Sequence, residues 1–234
     1  MSERIEEFKA QAGVALQVSE ETYQQAKERI ASAEWPKVGD SLFGAGPWKA
    51  EALVGAYSGD GLYDYAAAYK DAADALVDDV LSFRFPVDSV VYPIIFLYRH
   101  YVELILKGII EVGLQLEPQV NARSKEHHRI KDLWLSARPL LEQLFPDGDS
   151  IATDAVEKCI EELDSIDSSG EAFRYGNKTR KQGGGKMWNG HIQINLGNIR
   201  DVMNRHSVFL DGSYEAMEDL LQCQYEMEAD LNSE

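Results

Sequence analysis

One segment of the chain, residues 90–112, carries apolar side chains on almost every face of a helix. A helix of this kind needs cover on all sides, so it belongs at the centre of a bundle. Asp88 or Ser89 is placed to cap it, and Pro93 is tolerated in its first turn or so. The pattern therefore predicts a core helix and requires the rest of the chain to supply the helices that cover it.

Charged side chains interrupt this apolar segment at regular intervals. Arg99, Glu103 and Lys107 recur every fourth residue and form one polar ridge, with His100 beside it. Because a charge at bilayer depth costs about 3 kcal/mol, we expect no membrane span. An isolated charge inside a protein is also costly, so the ridge is interpreted as an internal salt-bridge network bridged by Glu103. The alternative is a functional site of mutually perturbed charges. Further candidates for that site are His128, Asp132 and Arg174.

The remaining apolar periodicity is helical nearly throughout. We expect a break near Pro139, a cap at Ser150, and a split of the C-terminal region into two helices at Asp211-Gly212. The prediction is an all-α helical bundle of about six or seven helices, with one long basic, glycine-rich loop and at most one short strand, at 191–195. An N-terminal helical and loop extension over 1–59 precedes a single compact bundle over 60–234.

Basic residues are distributed unevenly in a chain that is acidic overall. Its 40 acidic and 23 basic side chains give a net charge of −17 and a pI near 4.7, which excludes a generic, whole-surface nucleic-acid binder. The segment 172–190, however, has no acidic residue, and its glycines at 183–185 leave backbone N–H groups free to approach a phosphate. It is either a nucleic-acid-binding loop or a solvated one. Its basic residues are Arg174, Lys178, Arg180, Lys181 and Lys186.

The C-terminal region has the opposite charge. From Asp211 onward there are eight acidic residues and no lysine or arginine. This amphipathic, acidic stretch is either a solvated face or a docking surface for a protein partner.

Cysteine usage and the N-terminus bear on the compartment. Cys159 and Cys223 lie far apart without CxxC spacing, which indicates two reduced thiols, and the charged N-terminus has no secretory h-region. We therefore expect a cytoplasmic protein. The chain also contains no P-loop, HExxH, nucleophile elbow or dinucleotide-binding motif, so we expect neither a metal nor a cofactor.

Arg200 and His206 form a loose acid–base pair. Arginine stays charged and holds phosphate, and histidine moves protons near neutral pH. On a helix, six residues turn the chain by about 240°, which leaves the two side chains about 120° apart. The alternative interpretation is a surface arginine and an edge histidine. A second match of this loose kind occurs at Arg123 and His128.

Three stretches of sequence resemble one family. Segment 92–107, YPIIFLYRHYVELILK, is followed by His128-x4-Leu133-Trp134 and by FRYG at 173–176. Together they resemble the HEPN-like helical proteins of prokaryotic toxin, abortive-infection and phage-defence loci, over about residues 60–210. The stretches that carry the resemblance lie outside the region around Arg200.

The resemblance implies both a fold and an activity. Active HEPN-like proteins are helical bundles that pair as dimers through their active-site helices. They are metal-independent ribonucleases with an arginine, four to six intervening residues and a histidine. By that resemblance Arg200 and His206 would be the catalytic pair, with Asp201 as the polar residue after the arginine. The histidine would help activate a 2′-hydroxyl and the arginine would stabilise the pentavalent phosphate.

Two functions follow as expectations. The first is an RNA-targeting ribonuclease or toxin effector of a defence or toxin–antitoxin system, acting as a homodimer, with the 172–190 loop tracking RNA. The second is a catalytically inactive HEPN-like interaction module that binds a protein or nucleic-acid partner. In that module the polar ridge would be structural and the acidic C-terminal helix would dock a basic partner.

Overall fold

The computed structural model describes residues 20–31, 35–42, 46–52, 61–120, 128–175 and 190–232. The chain divides into two compact units, Met1–Leu53 and Val54–Glu234. In the first unit the described elements are helix α1 (Glu20–Ala31) and a single 3-10 turn (Trp48–Ala50). Lys178, Arg180, Lys181 and Lys186 of the predicted basic loop lie outside the described residues.

The second unit is built from helices. They are α2 (Leu62–Leu81), α3 (Val87–Leu116), α4 (Ile130–Leu144), α5 (Ser150–Ile166) and α6 (Leu196–Leu231). The predicted all-α bundle is confirmed, and the described ranges contain no strand. Residues 191–195, expected to form at most a short strand, have no regular secondary structure.

Helix α3 is the centre of this bundle. It packs against α2, α4 and α6, and side chains on all its faces are buried, among them Ile94, Tyr98, Ile105 and Ile109. Each large apolar side chain buried in this way contributes about 1.5–3 kcal/mol. The three helices that pack around α3 cover its apolar faces. This is the central position that its continuous apolar pattern predicts.

The ends of two helices differ from the prediction. Helix α3 begins after Pro86 without a side-chain cap, so Asp88 and Ser89 lie inside its first turn rather than before it. At α5 the cap is Asp149 rather than Ser150, since the Asp149 carboxylate accepts hydrogen bonds from the backbone N–H groups of residues 151 and 152. Pro139 lies inside α4 and does not break it.

Helix α6 is continuous where the sequence predicted two helices. It runs for 36 residues through Asp211 and Gly212. The phenol of Tyr101 on α3 donates a 2.8 Å hydrogen bond to the Asp211 carboxylate, which fixes this position within the helix. A single glycine in a helix costs only about 1 kcal/mol, and the contacts of α6 with α3 outweigh that cost.

Among the described residues, α3 is the one helix long and apolar enough to cross a membrane by length and composition. Half of its most apolar stretch is buried inside the protein, where Arg99 and Glu103 are also buried. The core helix of a bundle meets the same test, so this is weak evidence for a membrane span.

Candidate functional site

A cluster of charged side chains surrounds the Glu103 carboxylate on α3. Arg99 and Glu103 are only 3% and 5% exposed. The carboxylate accepts hydrogen bonds from Lys107 Nζ at 2.7 Å and from Arg99 Nη1 at 3.3 Å, both across one helical turn. His128 Nδ1 lies 2.8 Å from the same carboxylate. We call these four residues the Glu103 cluster. The structure thus brings together members of the polar ridge and His128, which precedes α4.

Arg99 ties three parts of the bundle together. Its Nε donates to the backbone carbonyl of Asp167 at 3.1 Å, and its Nη2 donates to the carbonyl of His128 at 2.9 Å. The guanidinium therefore links α3 to the segment after α5 and to the segment before α4. Gly170, at φ +74°, lies against it, and a Cβ there would approach Arg99 Nη1 to 2.6 Å.

We expect Gly170→Ala to lower the free energy of unfolding by about 2 kcal/mol, because alanine is strained at positive φ and its Cβ displaces the buried guanidinium. Urea denaturation measures the effect. Gly212→Ala is the matched control, since Gly212 lies inside α6 and a Cβ added there would meet no atom within 4 Å. It should raise the free energy of unfolding by about 1 kcal/mol or less, because alanine is the better helix former. Equal losses in the two variants would contradict the close approach at Gly170.

His128 is the exposed member of the cluster. Its side chain is 76% exposed, while the Glu103 side chain that it contacts is buried. A carboxylate only accepts hydrogen bonds, so Nδ1 carries the proton in this contact. Within the described ranges Nε2 has no hydrogen-bond partner. The buried Glu103 carboxylate thus orients the imidazole through Nδ1 and leaves Nε2 open to solvent. A general base and its positioning group are arranged in the same way.

Opposing effects set the charge of Glu103. Burial would raise its pKa, but hydrogen bonds from Lys107 and His128, together with the charges of Lys107 and Arg99, lower its pKa below the usual value. Glu103 is therefore ionised at neutral pH. Its contribution to stability is present above the ordinary carboxyl pKa of 4.5 and is lost as the pH falls through the lower folded value.

Aromatic side chains flank the cluster along α3. His100 stacks on Phe96, with ring centroids 5.7 Å apart, and meets the edge of Tyr69 at 4.4 Å. The Arg174 guanidinium lies 5.6 Å from the Phe96 centroid and 5.3 Å from that of Tyr175. A surface of this kind, with rings and a stacked cation, suits contact with flat, anionic ligands.

The position of His100 predicts a pH effect on stability. Burial lowers its pKa, and the cations Lys107, Arg99 and Arg174 lower it further, against the raising effect of Glu103. The unfolded chain therefore binds more protons below pH 6.5, so stability falls there as the pH drops.

His100→Phe replaces the imidazole with an aromatic ring that does not titrate. We expect it to reduce the loss of unfolding free energy that occurs when the pH is lowered from 7.5 to 5.5. Urea denaturation at about three pH values between these limits measures that loss. His191→Phe, at an exposed position, is the matched control. The same reduction in both variants would show that His100 is not its source.

The structure places Arg200 and His206 on α6 facing different helices. Arg200 forms an ion pair with Asp78 on α2. His206 Nε2 lies 3.1 Å from the Ala155 carbonyl on α5, and its Nδ1 lies 2.7 Å from the Val202 carbonyl. The described contacts of a single chain therefore do not bring the pair into one cleft.

Sequence reasoning missed two buried carboxylates next to the cluster. Asp164 accepts a 3.2 Å hydrogen bond from Arg129, and Asp167 accepts from the backbone N–H groups of residues 171 and 172. Within the described part of the chain, one oxygen of each has no hydrogen-bond partner. The available signal was Asp167-Ser-Ser-Gly170, an acidic residue before a glycine turn.

Among the described residues, no group of three or more His, Cys, Asp or Glu is placed to hold a metal ion.

The fold and the site define an all-α bundle whose buried carboxylate holds an exposed histidine. Comparison with family models, curated proteins and solved structures found no match to this chain. What the site can do therefore follows from the residues of the chain itself.

Proposed function

We propose that this chain is a HEPN-like, metal-independent endoribonuclease that serves as the effector of a prokaryotic defence or toxin–antitoxin system in the cytoplasm. The observation that carries the proposal is His128, an exposed histidine whose Nδ1 is held by the buried Glu103 carboxylate. The Glu103 cluster consists of residues from the stretches that carry the family resemblance, namely Arg99, Glu103, Lys107 and His128.

The proposed reaction needs a base and nearby positive charge. His128 Nε2 takes the proton of a ribose 2′-hydroxyl, O2′ attacks the adjacent phosphorus, and the 5′-oxygen leaves with a proton from water. The products are a 2′,3′-cyclic phosphate and a 5′-hydroxyl. Lys107, bound to the same carboxylate as His128, supplies positive charge beside the attacked phosphate. The basic 172–190 segment would follow the RNA backbone.

The Arg200–His206 pair stays a prediction from the resemblance. A dimer that pairs these helices would have to release Arg200 from Asp78 and His206 from α5. The His128 site requires no such release, which is why we place the proposed base there.

Cleavage of RNA in EDTA tests the proposal. We expect the purified full-length protein to cut a single-stranded RNA substrate and to leave 2′,3′-cyclic phosphate ends. The same RNA with 2′-O-methyl groups is the control and should stay intact, because the nucleophile is blocked. Absence of cleavage by folded protein, or cleavage of the methylated RNA, would contradict the proposed mechanism.

A catalytically inactive interaction module is the second candidate, and a specific observation favours it. Arg99 and Lys107 both donate hydrogen bonds to Glu103, and Arg99 also donates to the Asp167 carbonyl, as a purely structural network requires. The acidic end of α6 would then dock a basic protein partner. Folded protein without ribonuclease activity is the outcome that favours this module.

A further inference from the structure

A cavity of about 390 Å³ lies at the N-terminal end of α3. We call it the α3 cavity and define it by Asp88, Tyr92, Phe173 and His191, which line it together with apolar side chains such as Ile194. The Tyr92 and Phe173 rings have centroids 6.5 Å apart and are tilted by 50°. The cavity is near the small end of the range for small-ligand sites, about 300–1,000 Å³, so it suits a single base better than a folded segment.

The α3 cavity lies on the face of α3 that leads to the Glu103 cluster. Tyr92, Phe96 and Glu103 are spaced at i, i+4 and i+11, which places them along one side of the helix. Eleven residues span roughly 16 Å along the axis. Phe96 and its stacked Arg174 lie between the two ends. An extended single strand with a phosphate at His128 would therefore pass the aromatic surface and reach the cavity a few nucleotides away.

The polar groups of the cavity have hydrogen-bonding properties that would favour one base over another. Asp88 is exposed, in the first turn of α3, and an ionised carboxylate offers two acceptors and no donor. Guanine presents two adjacent donors, N1–H and the N2 amine, on its Watson–Crick edge. Uracil presents one donor between two carbonyl oxygens, which a carboxylate repels. His191, also on the cavity wall, has one ring N–H in its neutral form, which would be the donor for the guanine O6.

We propose that the α3 cavity binds a guanine base of single-stranded RNA, with Tyr92 and Phe173 as its apolar walls and Asp88 as the group that selects guanine. Bases bound by proteins outside a duplex are held by aromatic contact and by hydrogen bonds to this edge. The proposal rests on the proposed function for its RNA ligand. It adds a sequence preference that His128 and its neighbours do not supply.

Binding of uncleavable RNA tests the cavity separately from catalysis. Short fluorescent 2′-O-methyl oligouridylates with one central guanosine, inosine or adenosine are titrated with the full-length protein, and anisotropy is followed. Inosine lacks only the N2 amine. We expect guanosine to bind about 5- to 150-fold more tightly than inosine or adenosine, the range for a bidentate base contact.

Two variants and a control locate the preference. Asp88→Asn should remove the guanosine preference, and Tyr92→Ala should weaken binding of the guanosine oligonucleotide about 5- to 150-fold. Asp219→Asn makes the same charge change on the exposed part of α6 and should leave the preference intact. Three results would each overturn the proposal. They are equal binding of guanosine and inosine by the wild type, a preference that survives in Asp88→Asn, and no RNA binding, which is expected for a peptide-docking cavity.

The outcomes separate this inference from the proposed function. Cleavage in EDTA without a guanosine preference supports the ribonuclease and rejects the guanine site. A guanosine preference that depends on Asp88, without any cleavage, supports the site and rejects the ribonuclease.

Discussion

Replacing His128 with alanine is expected to lower the rate of RNA cleavage by about 10²–10⁴-fold, the usual contribution of a positioned general base. The histidine side chain is mostly exposed, so its loss removes one hydrogen bond to Glu103 and little packing. The free energy of unfolding should therefore fall by only about 0.5–1.5 kcal/mol. Initial cleavage rates on a short RNA in EDTA and urea denaturation of the same samples measure the two quantities.

His206→Ala is the matched control for this loss of activity. It removes an imidazole whose two nitrogens lie within hydrogen-bond distance of the Val202 and Ala155 carbonyls. The cleavage rate of this variant should stay near that of the wild type. The opposite result, an inactive His206→Ala with an active His128→Ala, would transfer the catalytic role to the pair of Arg200 and His206.

Arg99→Met is expected to lower the free energy of unfolding by about 3–5 kcal/mol, the cost of removing one partner from a buried ion pair. The substitution leaves the buried Glu103 carboxylate without one cation and leaves the backbone carbonyls of Asp167 and His128 without their donor. The midpoint and slope of urea denaturation give the change.

Arg84→Met is the matched control for Arg99. Arg84 is mostly exposed and pairs with Asp79, and an exposed ion pair of this kind contributes about 1 kcal/mol or less. Similar losses in the two variants would show that burial adds nothing to the Arg99 interactions. If Arg99→Met does not fold, Arg99→Lys keeps the charge but not the planar fork and should still lose stability relative to the wild type.

The sequence predicted α3 well because the relevant signals are local. The continuous apolar character of residues 90–112 required a central position for this helix. The four-residue spacing placed Glu103 between the cations Arg99 and Lys107. Contacts that depend on distant residues were not predictable in this way. Arg99 reaches the carbonyl of a residue 68 positions away, and the Tyr101–Asp211 bond that accompanies continuous α6 spans 110 positions.

The candidate site was predictable only in part. Spacing on α3 identified Glu103, and the sequence also marked His128, but only the fold places the exposed imidazole against the buried carboxylate. The cavity is assembled from α3, Phe173 and residues 190–194, which no local pattern connects. Spacing in the sequence proposed Arg200 and His206 as a pair, but the helices that each side chain contacts depend on the fold.

The continuity of α6 gives one helix two very different local stabilities. Leu221 is its last buried side chain, and the ten residues beyond it add about 15 Å of helix. Exposed acidic side chains crowd that end and no basic residue lies in the last turn, which opposes the helix dipole. The Tyr225 phenol still donates a 3.0 Å hydrogen bond to Gln115 on α3. Amide protons beyond Tyr225 should therefore exchange with solvent at the rate of a fraying terminus, while those near Met217 exchange with the opening of the core. Salt screens the repulsion between these carboxylates, so we expect the ordered length of this end to increase with ionic strength.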